Sequence, residues 1–334
     1  MVALSVLDLV PVIEGGTPAT ALRNARDLAR QVERLGYTRY WVAEHHNMAG
    51  IASAATAVVI GYIAGNTETI RVGAGGIMLP NHAPLIIAEQ FGTLESLYPG
   101  RIDLGLGRAP GTDRQTLMAL RRDASAAETF PQDVLELQAL LGPLQPGQTI
   151  QAVPGTDLNV PLWILGSSLY GAQLAAMLGL PYAFASHFAP DALVQALQIY
   201  RERFEPSRQM EHSHAMAGVN VIVAETDDEA RRLYTSLQMR FADMFRNARG
   251  LMKPPIDDIE TYWTPAEKMQ ASRMLACSFV GSPQTVEREL QGFIARIGVD
   301  ELMVACAIYD HDARARSYEL LKGLDLKTAA RAAA

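Results

Sequence analysis

The chain contains little cysteine and no long apolar run, and each shortage excludes a class of protein. Its 2 cysteines, Cys277 and Cys306, belong to no CxxC pair, so a zinc site built from cysteines is excluded. We expect two buried, reduced thiols, and a disulfide between them is the less favoured alternative. No stretch approaches the ~18 uninterrupted apolar residues of a membrane-spanning helix, so we expect no membrane partner.

A concentrated positive charge is also missing. The formal net charge is −7, and the basic residues are scattered, in short pairs such as Arg121-Arg122 and Arg231-Arg232. Nucleic acid is therefore not an expected partner. Residues 1–12 include no basic segment, and Asp8 interrupts their apolar run, which predicts a strand rather than a signal peptide. We expect a soluble protein in the cytoplasm.

A dinucleotide-binding fingerprint is the third absence. The first predicted strand is followed at 10–16 by Val-Pro-Val-Ile-Glu-Gly-Gly, which does not have the GxGxxG spacing that holds a pyrophosphate. The later Gly-Leu-Gly-Arg at 105–108 lacks the third glycine. These observations disfavour an open, doubly wound sheet and a built-in NAD(P)H site.

Short apolar segments alternate with amphipathic helical patterns along the chain. Strands are predicted at residues 3–9, 40–43, 70–74, 102–106, 162–165, 182–186, 217–224 and 301–306. Helices are predicted at 17–35, 53–64, 84–97, 125–141, 169–178, 190–204, 227–250, 286–297 and 313–324. This alternation indicates an α/β protein with a closed (β/α)8 TIM barrel, in one domain over residues 1–334. The Pro- and Asp-rich stretch 251–265 is predicted to be an irregular insertion before the last strand-helix unit.

The tetrapeptide Glu44-His45-His46-Asn47 directly follows the second predicted strand. In such barrels the residues beyond the carboxyl ends of the strands line the active site. A strand end capped by solvated polar residues is the alternative. His82 lies near the same face, but adjacent residues of an extended segment point to opposite sides, and no HExxH spacing is present. We therefore expect no bound metal.

Two further strand ends suit a flat, phosphorylated ligand. Gly166-Ser167-Ser168 precedes a predicted helix whose first N–H groups would attract an anion, and Arg108 follows the neighbouring strand. Gly73-Ala74-Gly75-Gly76 ends the third strand, where glycine permits close approach of a planar ligand. A serine N-cap and a flexible loop are the respective alternatives.

Four segments together resemble the bacterial-luciferase-like flavin monooxygenase family. They are YWVAEHH at 40–46, VGAGGIMLP at 72–80, PGRIDLGLGR at 99–108 and LGSS at 165–168. The similarity covers essentially the whole chain. It implies a (β/α)8 barrel that binds reduced FMN, or in one branch of the family a deazaflavin, at the carboxyl ends of the strands.

The resemblance also implies roles for single residues. His45 is implied to be catalytic, either by stabilising the oxygenated flavin or by acid–base chemistry. The implied cofactor-binding residues are Ala74, Gly75, Gly76, Arg108, Gly166, Ser167, Ser168 and Tyr170, and the expected substrate pocket includes His46, Met78, His187 and Phe188. A non-prolyl cis peptide bond is implied between Gly75 and Gly76. Gly107 stands where luciferase has a reactive cysteine, which argues against light emission.

The implied activity is monooxygenation of a small organic substrate by reduced FMN and molecular oxygen. Since no NAD(P)H site is visible, a separate flavin reductase is the expected source of reduced FMN. Members of the family are often dimers, and the uncharged helical segment 53–64 is a candidate homodimer interface, although burial within one subunit would explain it equally. The alternatives are a deazaflavin-dependent oxidoreductase of the same fold, a non-catalytic flavin-binding protein and, last, a metal-dependent barrel hydrolase.

Overall fold

The architecture is a sheet of parallel strands closed into a barrel, as the computed structural model shows. The structure describes residues 1–109, 113–248 and 250–328. Within these residues the strands are β1 (Ala3–Asp8), β2 (Arg39–Val42), β3 (Arg71–Met78), β4 (Ile102–Gly107), β5 (Leu162–Gly166), β6 (Tyr182–Phe184), β7 (Ala215–Val223), β8 (Ser278–Gly281) and β9 (Glu301–Ala305).

The barrel closes through β9. Neighbouring strands follow the order β6-β5-β4-β3-β2-β1-β9-β7, and β6 pairs with β7 to complete the ring. The predicted (β/α)8 barrel is therefore confirmed, and its eighth barrel strand is β9. The sequence did not predict β8, which has only 4 residues and pairs with residues 220–223 at the carboxyl end of β7. So short a segment gives little periodicity to detect.

The helices cover the outside of the barrel. They are α1 (Pro18–Arg34), α2 (Thr56–Ala64), α3 (Pro84–Leu97), α4 (Arg114–Ala119), α5 (Phe130–Leu141), α6 (Leu169–Met177), α7 (Leu193–Glu202), α8 (Asp227–Phe245), α9 (Pro265–Met274), α10 (Pro283–Ile297) and α11 (His311–Lys322). The helix predicted at 125–141 begins only at Phe130, because residues 124–127 form a 3-10 turn. The predicted insertion at 251–265 is largely irregular, but it leads into α9, which was not predicted from the sequence.

Helix α1 illustrates how the sequence specifies these elements. The Thr17 side chain accepts a hydrogen bond from the backbone N–H of Thr20, and Pro18 occupies the first turn, where no N–H is needed. Apolar residues at helical spacing face the sheet: Ala21, Ala25, Leu28, Ala29 and Val32. Gly36, just after the helix, has φ +77°, a left-handed conformation that glycine adopts without steric cost.

At the amino-terminal ends of the strands, the interior of the barrel contains charged side chains that form ion pairs with one another. Arg39 on β2 binds Asp103 on β4 at 2.8 Å and Glu301 on β9 at 3.0 Å. Arg71 also binds Asp103, at 2.6 Å, and the indole N–H of Trp41 donates to the same carboxylate at 3.0 Å. Because these groups neutralise one another, the buried charges are tolerated and the base of the barrel is closed.

Apolar side chains fill the barrel above this network. Trp41 and Trp163 meet edge to face, with ring centroids 5.1 Å apart, and Leu7, Met216 and Met303 complete the layer. Asp8 at the end of β1 does not face the mouth, because its carboxylate is held by Tyr40 and by Arg314 of α11.

Two further expectations concern cysteines and membranes. Cys277 and Cys306 are both free and buried, which confirms the prediction of reduced thiols. Among the helices of the described residues, none has the length and apolar character that crossing a membrane requires.

Candidate active site

Glu44 is the centre of a hydrogen-bond cluster where β2 ends. Its carboxylate, 1% exposed, accepts from the Met78 N–H at 2.9 Å and the Asn81 amide at 3.1 Å. His46 Nε2 lies 2.7 Å and His82 Nε2 2.9 Å from its Oε1. Burial alone would raise the Glu44 pKa, but the hydrogen bonds from His82, Asn81 and Met78 outweigh it and hold the pKa below its ordinary value. The carboxylate therefore joins the ends of β2 and β3.

His45 points away from this cluster. Burial, together with the positive charge of Arg240, lowers its pKa to about 4, so the imidazole is neutral near pH 7. Its Nδ1 is buried without a hydrogen-bond partner among the described residues. A neutral imidazole with an unsatisfied ring nitrogen can accept or donate a proton once a ligand supplies a partner.

His187, after β6, lies on the same side of the barrel mouth. Burial, with a contribution from His45, lowers the pKa of His187 to about 4, and its Nδ1 also lacks a hydrogen-bond partner among the described residues. The ring rests on the backbone of Gly218, where an added Cβ would come within 2.4 Å of Nδ1. Asn220 of β7 holds the backbone carbonyl of His187 at 2.6 Å, and the Phe188 ring packs 4.9 Å from the imidazole. The two histidines from β2 and β6 therefore share one surface.

Gly75 and Gly76 lie within β3, which is longer than predicted and continues to Met78. The peptide bond between them is cis, as the resemblance implied, and the register with β4 shifts between Ala74 and Ile77. A Cβ at Gly75 would lie 2.9 Å from Leu7 Cδ1, and one at Gly76 would lie 2.7 Å from the Gly105 carbonyl. The packing thus leaves no space for side chains at either glycine.

Arg108 and Tyr170 meet beside the N-terminus of α6. The guanidinium carbon lies 4.1 Å from the centre of the Tyr170 ring, and no carboxylate within the described residues forms an ion pair with Arg108. Ser168 is the N-cap residue of α6, yet its side chain makes no capping hydrogen bond, and Ser167 and Ser168 are exposed. Exposed N–H groups at a helix N-terminus with an unpaired arginine form a site suited to a phosphate.

The pairing of the strands puts these groups on one rim. Gly107, before Arg108, pairs with Met78 on one side and with Leu165, before Gly166, on the other. Met78 is half-buried and Phe188 is 39% exposed, so both border open space. Ala74 differs, because its side chain packs in the layer between sheet and helices and only its backbone can reach a ligand.

A metal was not expected, but one cluster has the necessary atoms. Single ligand atoms of Glu44, His46 and His82 lie within 4.8 Å of one another. The same atoms are engaged in the hydrogen bonds described above, which explain the cluster without an ion. The absence of a metal therefore stays a prediction.

Two polar residues of this region were not found from the sequence. Asn220 on β7 fixes the segment that carries His187, and Arg240 on α8 acts electrostatically on His45. Asn220 could have been noticed as a polar residue in an otherwise apolar strand. Arg240 carries no such signal, because arginine on an amphipathic helix is ordinary.

The model of the luciferase-like monooxygenase family matches residues 4–301. The chain belongs to this family. A luciferase-like monooxygenase of Escherichia coli strain K12 is 51% identical over 327 residues, covering 98% of this chain and 97% of the relative. The crystal structure of apo-MsnO8 superposes with a TM-score of 0.89 at 37% identity, covering 98% of this chain and 100% of that one.

Two more distant structures share the fold. The FMN complex of the oxygenating constituent of 3,6-diketocamphane monooxygenase from Pseudomonas putida has a TM-score of 0.71 at 18% identity, covering 98% of each chain. An F420-dependent secondary alcohol dehydrogenase has a TM-score of 0.70 at 17% identity, covering 96% of this chain and 98% of that one. At such identities the likeness concerns the fold alone.

Proposed function

We propose that this protein is a flavin-dependent monooxygenase that uses reduced FMN and molecular oxygen to oxygenate a small organic substrate. A separate flavin reductase would supply reduced FMN, because the chain shows no NAD(P)H fingerprint. Membership of the luciferase-like monooxygenase family supports monooxygenation as the reaction class.

The residues at the mouth fit a flavin mononucleotide. Arg108, stacked on Tyr170, and the uncapped N-terminus of α6 offer positive charge and N–H donors to a terminal phosphate. Gly75 and Gly76 form a short glycine surface where β3 shifts its register with β4 near the mouth, and a flat ring system would lie against this backbone. When bound, reduced FMN supplies the electrons that activate oxygen.

The chain's own contribution is positioning and proton control. His45 presents a neutral imidazole whose Nδ1 is free to exchange a hydrogen bond with the reacting groups. The burial of that nitrogen, together with the apolar tryptophan layer, restricts the access of water to it. Glu44 keeps the end of β3 against β2, which holds the glycine surface in a constant position relative to His45.

One observation carries this proposal above the others. The phosphate-type site at Arg108 and the unsatisfied Nδ1 of His45 lie on the same rim of the barrel, separated by the glycine surface of β3. A deazaflavin-dependent oxidoreductase is the second candidate, since an F420-dependent enzyme shares the fold. A non-catalytic flavin-binding protein would have no use for a neutral, unsatisfied imidazole at this point.

The test separates cofactor binding from chemistry. Fluorescence quenching with FMN and with a deazaflavin should show tighter binding of FMN. With reduced FMN, oxygen and a panel of small aldehydes and organic acids, mass spectrometry should detect at least one product that has gained one oxygen atom. His45→Ala should abolish this product while FMN binding is retained, and His311→Asn, on the exterior helix α11, should behave as wild type.

Two outcomes would count against the proposal. Tighter binding of the deazaflavin, with oxygen-independent hydride transfer, would favour the second candidate. Unchanged oxygenation by the His45→Ala variant would remove the role given to His45.

We also propose a homodimer through α2. This helix contains no charged residue, and it exposes Val58 by 73% and Tyr62 by 37%. The adjacent helix α3 exposes Ile86 by 48% and Leu97 by 63%. Exposed apolar side chains on two helices that contact each other support an interface at this face.

A further inference from the structure

Helix α8 brings Arg240, which has no counter-charge among the described residues, to the mouth of the barrel. The segment after α8 returns to the loops that follow β1 and β2, where the Met252 carbonyl accepts from the Glu14 N–H at 2.8 Å. An added Cβ at Gly50 would lie 2.3 Å from the Gly250 carbonyl, so these segments touch. The carboxyl half of α8 therefore lies beside the β2 end that carries His45, and Arg240 belongs to that half.

The neighbours of Arg240 do not neutralise it. Ser236, one turn earlier on the same face, is 1% exposed, which places this face of the helix inside the protein. Asp243, three residues later, is already bound by Lys253 at 2.8 Å and by the Tyr262 hydroxyl at 2.6 Å. Across residues 1–109, 113–248 and 250–328, no carboxylate forms an ion pair with Arg240. A largely buried cation without a partner is costly unless something else compensates it.

Three buried polar atoms of this region lack a hydrogen-bond partner in the described part of the chain. His45 Nδ1, His187 Nδ1 and Ser236 Oγ are each buried without a hydrogen-bond partner among the described residues. Buried polar atoms are nearly always hydrogen-bonded, so these three atoms, one of them on the helix face that carries Arg240, require an explanation. Of the charged and titratable groups that face His45, Arg240 and His46 oppose its protonation and Glu44 favours it, while His187 lies beside it. Glu44 is occupied by its own cluster and does not serve Arg240.

We propose that Arg240 binds the carboxylate of the substrate, so that the enzyme acts on an organic acid. The guanidinium fork matches a carboxylate in two parallel hydrogen bonds, and Ser236 and the histidines can complete the shell around it. This inference rests on the proposed function and names the substrate class for the same site. The cofactor phosphate has its own place at Arg108, which follows β4 beside the end of β5, whereas Arg240 lies near the end of β2, on the other side of β3.

The test uses matched anions and neutral analogues on the FMN-loaded protein. Acetate, hexanoate and benzoate are titrated against acetamide, hexanamide and benzamide, with the His45 Cε1 resonance as the NMR probe. The variant is Arg240→Gln. The control is Arg232→Gln on the same helix, an exposed arginine that binds Asp257 at 2.8 Å.

We expect saturable shifts of the His45 resonance with at least one carboxylate and with none of the amides. Arg240→Gln should weaken that binding by about 10- to 100-fold, the loss typical of a charge-assisted pair, and Arg232→Gln should leave it unchanged. Since acetate is small enough to enter any such site, a failure of all three carboxylates would overturn the proposal. Equal binding of acids and amides, or unweakened binding by Arg240→Gln, would overturn it as well.

A second arm separates the substrate carboxylate from the cofactor phosphate. FMN and riboflavin are titrated by fluorescence quenching into wild type and Arg240→Gln. Unchanged FMN affinity supports the substrate assignment, whereas a loss for FMN but not riboflavin would assign Arg240 to the phosphate instead. If the protein binds no flavin at all, the proposed function is refuted. The carboxylate titration can then be run without flavin and would still test whether Arg240 binds a carboxylate.

Discussion

Arg108 offers the sharpest prediction about the cofactor. Its guanidinium is exposed, is held over Tyr170 at 4.1 Å and has no acidic partner among the described residues, so it is available to a phosphate. Replacing it by glutamine removes charge-assisted hydrogen bonds worth about 1.5–3 kcal/mol. At 1.4 kcal/mol per tenfold change, FMN affinity should fall by about 10- to 150-fold.

The assay is fluorescence quenching of FMN and riboflavin at low and high salt. Riboflavin lacks the phosphate, so its affinity should be nearly the same in Arg108→Gln and wild type. The FMN affinity of wild type should fall with added salt, and that of the variant should fall less, because one phosphate contact is missing. Arg288→Gln, an exposed arginine on α10, is the matched control.

A riboflavin affinity that drops as much as the FMN affinity would refute this reasoning. It would mean that Arg108 supports the ring or the fold rather than the phosphate. Tyr170→Leu supplies a second check. Without the ring, Arg108 loses a cation–π interaction worth about 0.5–1 kcal/mol, so FMN binding should weaken by only a few-fold.

Three further predictions concern stability and assembly. His187 binds a proton less readily in the folded than in the unfolded protein, because burial lowers its pKa to about 4 from an ordinary value of 6.5. The free energy of unfolding, measured with urea, should therefore fall as the pH is lowered from 6.5 to 5, by up to about 1.4 kcal/mol per pH unit for each such histidine. An equally steep fall in the His187→Asn variant would contradict this. Gly105→Ala should lower the melting temperature, because the added Cβ would lie 2.1 Å from the Ala74 carbonyl. The control, Gly292→Ala in α10, adds a Cβ that meets nothing within 4 Å and should be neutral or stabilising. Equal melting temperatures would show that the barrel relaxes around the methyl group at position 105. In sedimentation experiments, Val58→Glu should convert the proposed dimer to a monomer. Met269 on α9 is 69% exposed, and Met269→Glu should leave the dimer intact. A dimer that persists in the Val58→Glu variant would exclude α2 as the interface.

The sequence was most informative where chemistry and strand polarity coincide. Parallel strands bring their carboxyl ends to one edge, so the segments around His45, Gly75, Arg108 and Ser168 could be assigned to one rim from their positions alone. The resemblance to a known family then supplied their roles, and it correctly implied the cis bond at Gly75.

What the sequence did not reveal depends on tertiary contacts. Strand β8 is too short for a periodic pattern, and α9 was hidden by the irregular stretch before it, although Thr264 and Glu267 form a capping box that could have marked its start. Arg240 reaches the mouth only because α8 and the segment after it return to β2. No local pattern encodes that return.

The Glu44 cluster has a mechanical consequence for how ligands enter. Four groups from the ends of β2 and β3 share hydrogen bonds with one carboxylate, so this sector of the rim resists opening. Outside this cluster, His187 after β6 and Ser236 on α8 each have a buried side-chain atom without a hydrogen-bond partner among the described residues. We therefore expect ligands to enter by displacing α8, while the ends of β2 and β3 stay in place.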